Sequence, residues 1–285
     1  MLSKPILVLA ASLCLFASCN EQDKNATAAT DNTKDSTSMN KTDSMGIKEE
    51  AVSYDDNGTT LKGYVAYNGS SNDRKPIVLV VPEWWGVTEY PRMRAQMLAE
   101  MGYFAMTVDM YGNGKLAENP KDATEASRPY YDDPALAKSR LDAALQKAKT
   151  FAQADTAKVA AIGYCFGGSM VLNYAKMGAP VAGVVSFHGG LQGVAPQKGT
   201  KAQFLICHGN ADTFVPDAQV KAFRKSMDSA GLSYTFKTYD NATHAFTNPA
   251  ATAKGQQFNL PLSYNGPADT ASWNEMKTFL NSVLR

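Results

Sequence analysis

Gly163-Tyr164-Cys165-Phe166-Gly167 places a thiol between two glycines, directly after the apolar run Val159 to Ile162. A sharp strand-to-helix turn leaves no room for a β-carbon at either neighbouring position, and it holds the apex residue strained and exposed. Cysteine at that apex is a candidate nucleophile in its thiolate form. A nearby histidine and a helix N-terminus lower a thiol pKa from about 8.5 to roughly 3.5–7.5. Asp212 and His244 follow later in the chain, completing the order nucleophile, acid, base. In that arrangement His244 is the general base, while Asp212 fixes its tautomer and steadies the imidazolium. The Phe166 N–H, at the start of the helix, is the expected oxyanion donor, and the Trp84 N–H is the expected second donor. This is acyl-transfer chemistry that needs no cofactor.

These residues need a scaffold that delivers them to one edge. Apolar or alternating segments at Thr60 to Tyr67, Ile77 to Val81, Tyr103 to Val108, Val159 to Ile162, Val181 to Phe187, Gln203 to Cys207 and Tyr234 to Tyr239 predict strands. Helical periods fall between most of them, at Tyr90 to Met101, Pro134 to Ala152, Ser169 to Lys176, Pro216 to Ala230 and Ala271 to Leu284. Near-continuous apolar strands alternating with helices imply an α/β domain, a mostly parallel central sheet covered on both faces. Reactive groups in such sheets collect beyond the carboxyl ends of strands. Glu83, Asp109, Cys165, His188, His208, Asp212 and His244 all follow predicted strands. His188 and His208 lack a paired nucleophile and read as structural or pocket-lining residues. Three histidines without close spacing do not make a zinc site.

The 285 residues carry 28 basic and 27 acidic side chains, a net charge of +1. That balance excludes a general nucleic-acid or anionic-membrane binder. Residues 1–18 read as an export signal, with Lys4 before the apolar run Ile6 to Phe16, which is too short to span a bilayer. Leu15-Phe16-Ala17-Ser18-Cys19 resembles the lipobox of bacterial lipoproteins, apart from Phe16 in place of the usual leucine. The resemblance implies a lipidated Cys19 and attachment to the cell envelope, facing the periplasm or in the outer membrane. Residues 19–46 are polar, without aromatic side chains, and are expected to form a flexible tether to a folded domain at 47–285. Of four cysteines only Cys165 and Cys207 remain in that domain. A redox-sensing pair between them, or a binding protein on a hydrolase scaffold, are the alternatives to catalysis.

Gly163 to Gly168, His208-Gly209-Asn210-Ala211-Asp212 with Val215-Pro216, and His244-Ala245-Phe246 together resemble the dienelactone hydrolase family of α/β-hydrolases. Pro82-Glu83-Trp84-Trp85-Gly86 and Asp109-Met110-Tyr111-Gly112 fit the same family. The resemblance implies a Cys165-His244-Asp212 triad acting on a small-molecule ester or lactone. It also implies that Glu83 holds the resting thiol until substrate displaces it. Family members bind a substrate carboxylate through arginines, one shortly after the Asp109-x-Tyr111 stretch and one shortly after the catalytic histidine. Here the neighbourhoods read Tyr111-Gly112-Asn113-Gly114 and Phe246-Thr247-Asn248-Pro249, without arginine. An aromatic pocket wall of Trp84, Trp85, Tyr111, Tyr130 and Tyr131 is expected instead. Residues 250–267 are expected to form a long loop that shapes the pocket.

Overall fold

The computed structural model describes residues 46–285. The export segment, Cys19 and all but the end of the tether lie outside those residues. The strands are Ile47–Asp56 (β1), Thr59–Asn68 (β2), Lys75–Val81 (β3), Phe104–Thr107 (β4), Ala154–Tyr164 (β5), Gly183–Phe187 (β6), Gln203–Gly209 (β7) and Tyr234–Tyr239 (β8). They form one sheet in the order β1-β2-β4-β3-β5-β6-β7-β8. The pairs β1–β2 and β2–β4 are antiparallel, and every other pair is parallel. The helices are Glu89–Glu100 (α1), Pro120–Asp132 (α2), Pro134–Lys149 (α3), Phe166–Lys176 (α4), Asp217–Ser229 (α5), Ala251–Phe258 (α6) and Gly266–Val283 (α7).

Alternation along β3 divides the core. Ile77, Leu79 and Val81 face one layer with Leu141, Met170 and Phe223 from α3, α4 and α5. Val78 and Val80 face the other with Leu98 of α1 and Met276 and Leu280 of α7. Every one of these side chains is buried, so β3 to β7 are apolar on both faces, as a parallel sheet between two helical layers requires. Each fully buried Leu or Ile contributes about 1.5–3 kcal/mol, and the central strands therefore anchor the domain.

Three elements depart from the pattern read in the sequence. β1 is an edge strand with most residues exposed, so it carries no apolar run. It is fixed by its hairpin: Asn57 and Gly58 both take positive φ, which a two-residue turn between twisted strands demands. The Asp56 carboxylate at its end pairs with the Arg140 guanidinium of α3. α2 occupies a stretch in which no helix was expected. Asn119 caps it by accepting the Asp122 N–H at 3.0 Å, and Pro120 opens it. α6 and the earlier start of α7 replace much of the long loop expected at 250–267; Asn265 caps α7 by accepting the Ala268 N–H at 3.1 Å.

Arg94 of α1 ties these later segments to the core. It is only 3% exposed, pairs with Asp269 of α7 and stacks on Trp273 with its guanidinium carbon 4.9 Å from the ring centre. It also donates to the Thr247 carbonyl at 2.8 Å, which pins the segment immediately after His244.

Candidate active site

The turn from β5 into α4 is as tight as its glycines suggest. A β-carbon on Gly163 would stand 2.1 Å from the Gly167 carbonyl oxygen, and one on Gly167 would stand 2.2 Å from the Val81 carbonyl oxygen. Both obstacles are backbone, which no side-chain rotation can clear. Cys165 at the apex has φ 53° and ψ −116°, a conformation that only a surrounding network sustains in a non-glycine residue. Its N–H is shared between the Phe187 carbonyl at 3.0 Å and His188 Nδ1 at 3.1 Å, and the Gly167 N–H donates to the Pro82 carbonyl at 3.1 Å.

His244 and Asp212 arrive on the loops after β8 and β7. His244 Nδ1 lies 2.8 Å from Asp212 Oδ2, while Asp212 Oδ1 accepts the Phe214 N–H at 2.9 Å. Both oxygens of the carboxylate are thereby fixed, and the ring is left with Nε2 for another partner. Cys165 shares the cavity with His244 and bears on its ring by charge. Burial disfavours the imidazolium, but Cys165 and Asp212 beside it outweigh that and push His244 up to about 10. The residue following, Ala245, has φ 59°, so the histidine also sits beside a strained position. The structure thus brings together the three residues singled out by order and spacing, and their arrangement can support a thiolate–imidazolium pair.

A cavity of about 350 Å³ opens over Cys165 and His244. Trp84, Trp85, Tyr131, Phe214, Val215 and Leu262 form its apolar wall, with Glu83 and Arg128 as its charged residues besides His244. The Trp84 N–H has no partner among the described residues, and the Phe166 N–H opens α4, where no intrahelical acceptor is available. Among the described residues no group of three or more His, Cys, Asp or Glu is placed to hold a metal ion.

A model of the dienelactone hydrolase family matches residues 61–284. The chain belongs to the dienelactone hydrolase family. A Methylorubrum extorquens protein bearing the name carboxymethylenebutenolidase is 32% identical over 184 residues, which cover 60% of this chain and 63% of that protein. The aligned part thus spans under two thirds of that relative's length. The solved structure of a dienelactone hydrolase-like promiscuous phosphotriesterase from metagenomic libraries superposes with a TM-score of 0.79 at 30% identity, over 84% of this chain and 100% of the other. An acylaminoacyl peptidase of Pyrococcus horikoshii shares the fold, with a TM-score of 0.57 at 16% identity, over 71% of this chain and 38% of the other.

Within this dienelactone hydrolase scaffold, Trp85 lines the cavity and Tyr111 does not. Tyr111 stands one layer behind, donating its hydroxyl to the Trp84 carbonyl at 2.9 Å and packing 5.8 Å from Phe166, with Tyr130 beside it. Tyr131 lines the cavity as expected, whereas its neighbour Tyr130 on α2 does not. Glu83 shares the cavity with Cys165, but its Oε2 accepts from Asn248 Nδ2 at 2.7 Å, and no hydrogen bond joins it to the thiol among the described residues. Burial pushes the Glu83 carboxyl up, and Asn248, His244, Lys254 and Arg94 oppose that only in part. Asn248 was noticeable in the sequence only as a position without arginine.

His188 has a different place from a wall residue. It is fully buried at φ 42°, with Nδ1 on the Cys165 N–H and Nε2 2.8 Å from Thr247 Oγ1. Burial, with His244 and Arg94 nearby, holds its imidazole well below the ordinary range, so it is neutral and accepts through Nδ1. His208 stands apart, packed on Phe236 at 5.7 Å. Cys207 is buried, and its thiol is free, as is that of Cys165. Burial pushes Cys207 up to about 12, with a bond from the Tyr239 hydroxyl at 3.5 Å acting against it.

The imidazolium of His244 has a measurable consequence. Because its folded-state pKa of about 10 lies above the ordinary 6.5, its contribution to stability is complete below pH 6.5 and is lost as pH rises through 10. In an NMR titration the His244 ring signals of the intact protein are expected to remain those of imidazolium to about pH 10. In Cys165→Ala the transition moves to lower pH, since the thiolate charge is gone; an unmoved transition contradicts the pairing.

Proposed function

We propose that this protein is a cofactor-independent hydrolase of neutral esters or lactones that works through an acyl-thioenzyme at Cys165. The observation that carries the reading is His244 held by Asp212 on Nδ1 and acted on by Cys165, on the floor of an apolar cavity. The thiolate attacks the substrate carbonyl, and the negative charge that develops on oxygen is met by the N–H groups of Phe166 and Trp84. As the intermediate collapses the carbon–oxygen bond to the leaving group breaks, and the departing alkoxide takes its proton from the His244 imidazolium. Neutral His244 then removes a proton from water, which attacks the thioester. The acid product leaves and the proton returns to the cysteine–histidine pair.

Substrate class follows from the wall. Trp84, Trp85, Tyr131, Phe214 and Leu262 offer apolar and aromatic surface, with one exposed cation, Arg128, and one buried carboxyl, Glu83, on the lining. Such a cavity favours an uncharged, flat or apolar acyl or leaving group. In a comparison of aryl esters matched in size, kcat/KM is expected to be at least about tenfold higher for the neutral member than for one bearing a carboxylate. Preference for the carboxylate would overturn this substrate class and leave the nucleophile assignment standing.

We further propose that a lipid on Cys19 attaches the enzyme to the cell envelope, on the strength of the Leu15 to Cys19 segment. Detergent-phase partitioning of the exported protein is expected, and its persistence in Cys19→Ala would contradict the anchor.

A further inference from the structure

A second concave site lies back to back with the cavity over Cys165. Gly190 and Val215 line the cavity, whereas their chain neighbours Leu191 and Pro216 line a separate groove of about 500 Å³. That groove runs between the 191–195 segment and α5, and its one charged side chain is Lys176, the last residue of α4. Lys176 is only 3% exposed. It makes no ion pair and no side-chain hydrogen bond among the described residues; its sole partner is the ring of Phe223, 4.8 Å from the ammonium nitrogen. Its nitrogen keeps a little contact with solvent at the groove, yet no counter-ion faces it, and proteins nearly always pair an ammonium so enclosed.

The surroundings add donors. Gln219 accepts the Leu191 N–H through Oε1 at 2.8 Å, which leaves its amide nitrogen as the end with two N–H groups. α5 starts at Asp217 without a side-chain cap, so the N–H of Ala218, also on the groove, has no partner within the helix. Asp217 itself lies in the neighbouring depression beside His208 and not in the groove.

From the unpaired Lys176 ammonium, the Gln219 amide and the open helix end we propose that this groove binds a small anion through a carboxylate or phosphate group. The anion would supply the counter-charge that the fold does not. Burial holds the Lys176 ammonium at about 8, with no charged neighbour contributing, so it still carries its charge at neutral pH. This site does not depend on the ester-hydrolysis reading, since no hydrogen bond joins Lys176, Ala218 or Gln219 to Cys165, His244 or Asp212 among the described residues.

Thermal unfolding of the full chain in sodium phosphate and in sodium acetate, each against sodium chloride at equal ionic strength, tests the proposal. At a tenfold excess over Kd the midpoint is expected to rise by about 3 °C with at least one of the two anions. Response to phosphate alone assigns a phosphate-bearing ligand, and response to acetate a carboxylate. Lys176→Met and Lys176→Gln are expected to lose the response, to keep ester turnover, and to unfold at a higher temperature than the parent in chloride because an unpaired buried charge has gone. No response in the parent up to about 50 mM of either anion, or an equal response in parent and variants, overturns the proposal.

Discussion

Replacing Cys165 with alanine is expected to lower kcat/KM for a neutral aryl ester by roughly 10⁴-fold or more while leaving the fold intact. The argument separates chemistry from structure. Cys165 owes its position to backbone contacts: the bonds from its N–H to Phe187 and His188, and the approach of Gly167 to Pro82. Alanine retains all of them and accepts the same φ of 53° at similar strain. What it loses is the sulfur that forms the acyl bond and the charge that keeps His244 protonated. Urea unfolding should remain one cooperative transition, and any stability lost should be that of the His244 imidazolium, shrinking as pH rises through 10. Serine at the same position tests thiol chemistry specifically. An alcohol does not ionise against His244, so the ion pair disappears and activity falls even though a hydroxyl nucleophile is present. Parent-like turnover in the alanine variant would remove Cys165 from the reaction.

The second large effect is at Gly163, which touches no substrate. A single methyl group there would sit 2.1 Å from the Gly167 oxygen and 2.3 Å from its carbonyl carbon. To relieve that contact the first turn of α4 must move away from β5, yet Gly167 is already against the Val81 carbonyl on its other side. Gly163→Ala is therefore expected to destabilise the protein by about 3 kcal/mol or more, well beyond an ordinary helix or strand substitution. Because the shift carries Cys165 and the Phe166 N–H with it, kcat should fall by at least about 10²-fold in whatever fraction remains folded. Gly102→Ala is the control: unlike Gly163 it has positive φ, at 90°, and nothing lies within 4 Å of its would-be β-carbon. Its cost should be limited to backbone strain, about 1 kcal/mol, with kcat unchanged. Urea unfolding and turnover of the two variants side by side give the comparison; similar behaviour at both positions would mean that the elbow is not under the constraint described.

The central strands and the three-residue order were legible because their signals are local. β3, β5 and β7 are short apolar runs, and Gly163 and Gly167 bracket Cys165 at a spacing that few other structures require. What escaped is long-range or weakly patterned. β1 is exposed along most of its length, so nothing in Ile47–Asp56 reads as a buried strand. α2 buries only Ala123, Ser127 and Tyr130 and contains Pro129, so neither its apolar content nor its composition announces a helix. With α2 unseen, Arg128 could not be placed at the cavity, and Tyr111 was assigned a wall position that it supports from behind. The Glu83–Asn248 bond joins residues 165 positions apart, and the link from Cys165 to His188 depends on β5 and β6 being neighbours. No spacing rule reveals such pairs. They follow from the sheet order.

Rapid mixing of the full chain with phenyl acetate, acid quenching and mass analysis of its peptides test the central claim most directly. The account predicts one acetyl group on the peptide containing Cys165, appearing no more slowly than phenol is released and absent from Cys165→Ala. An acetyl group on another residue, with turnover surviving in Cys165→Ala, would contradict it.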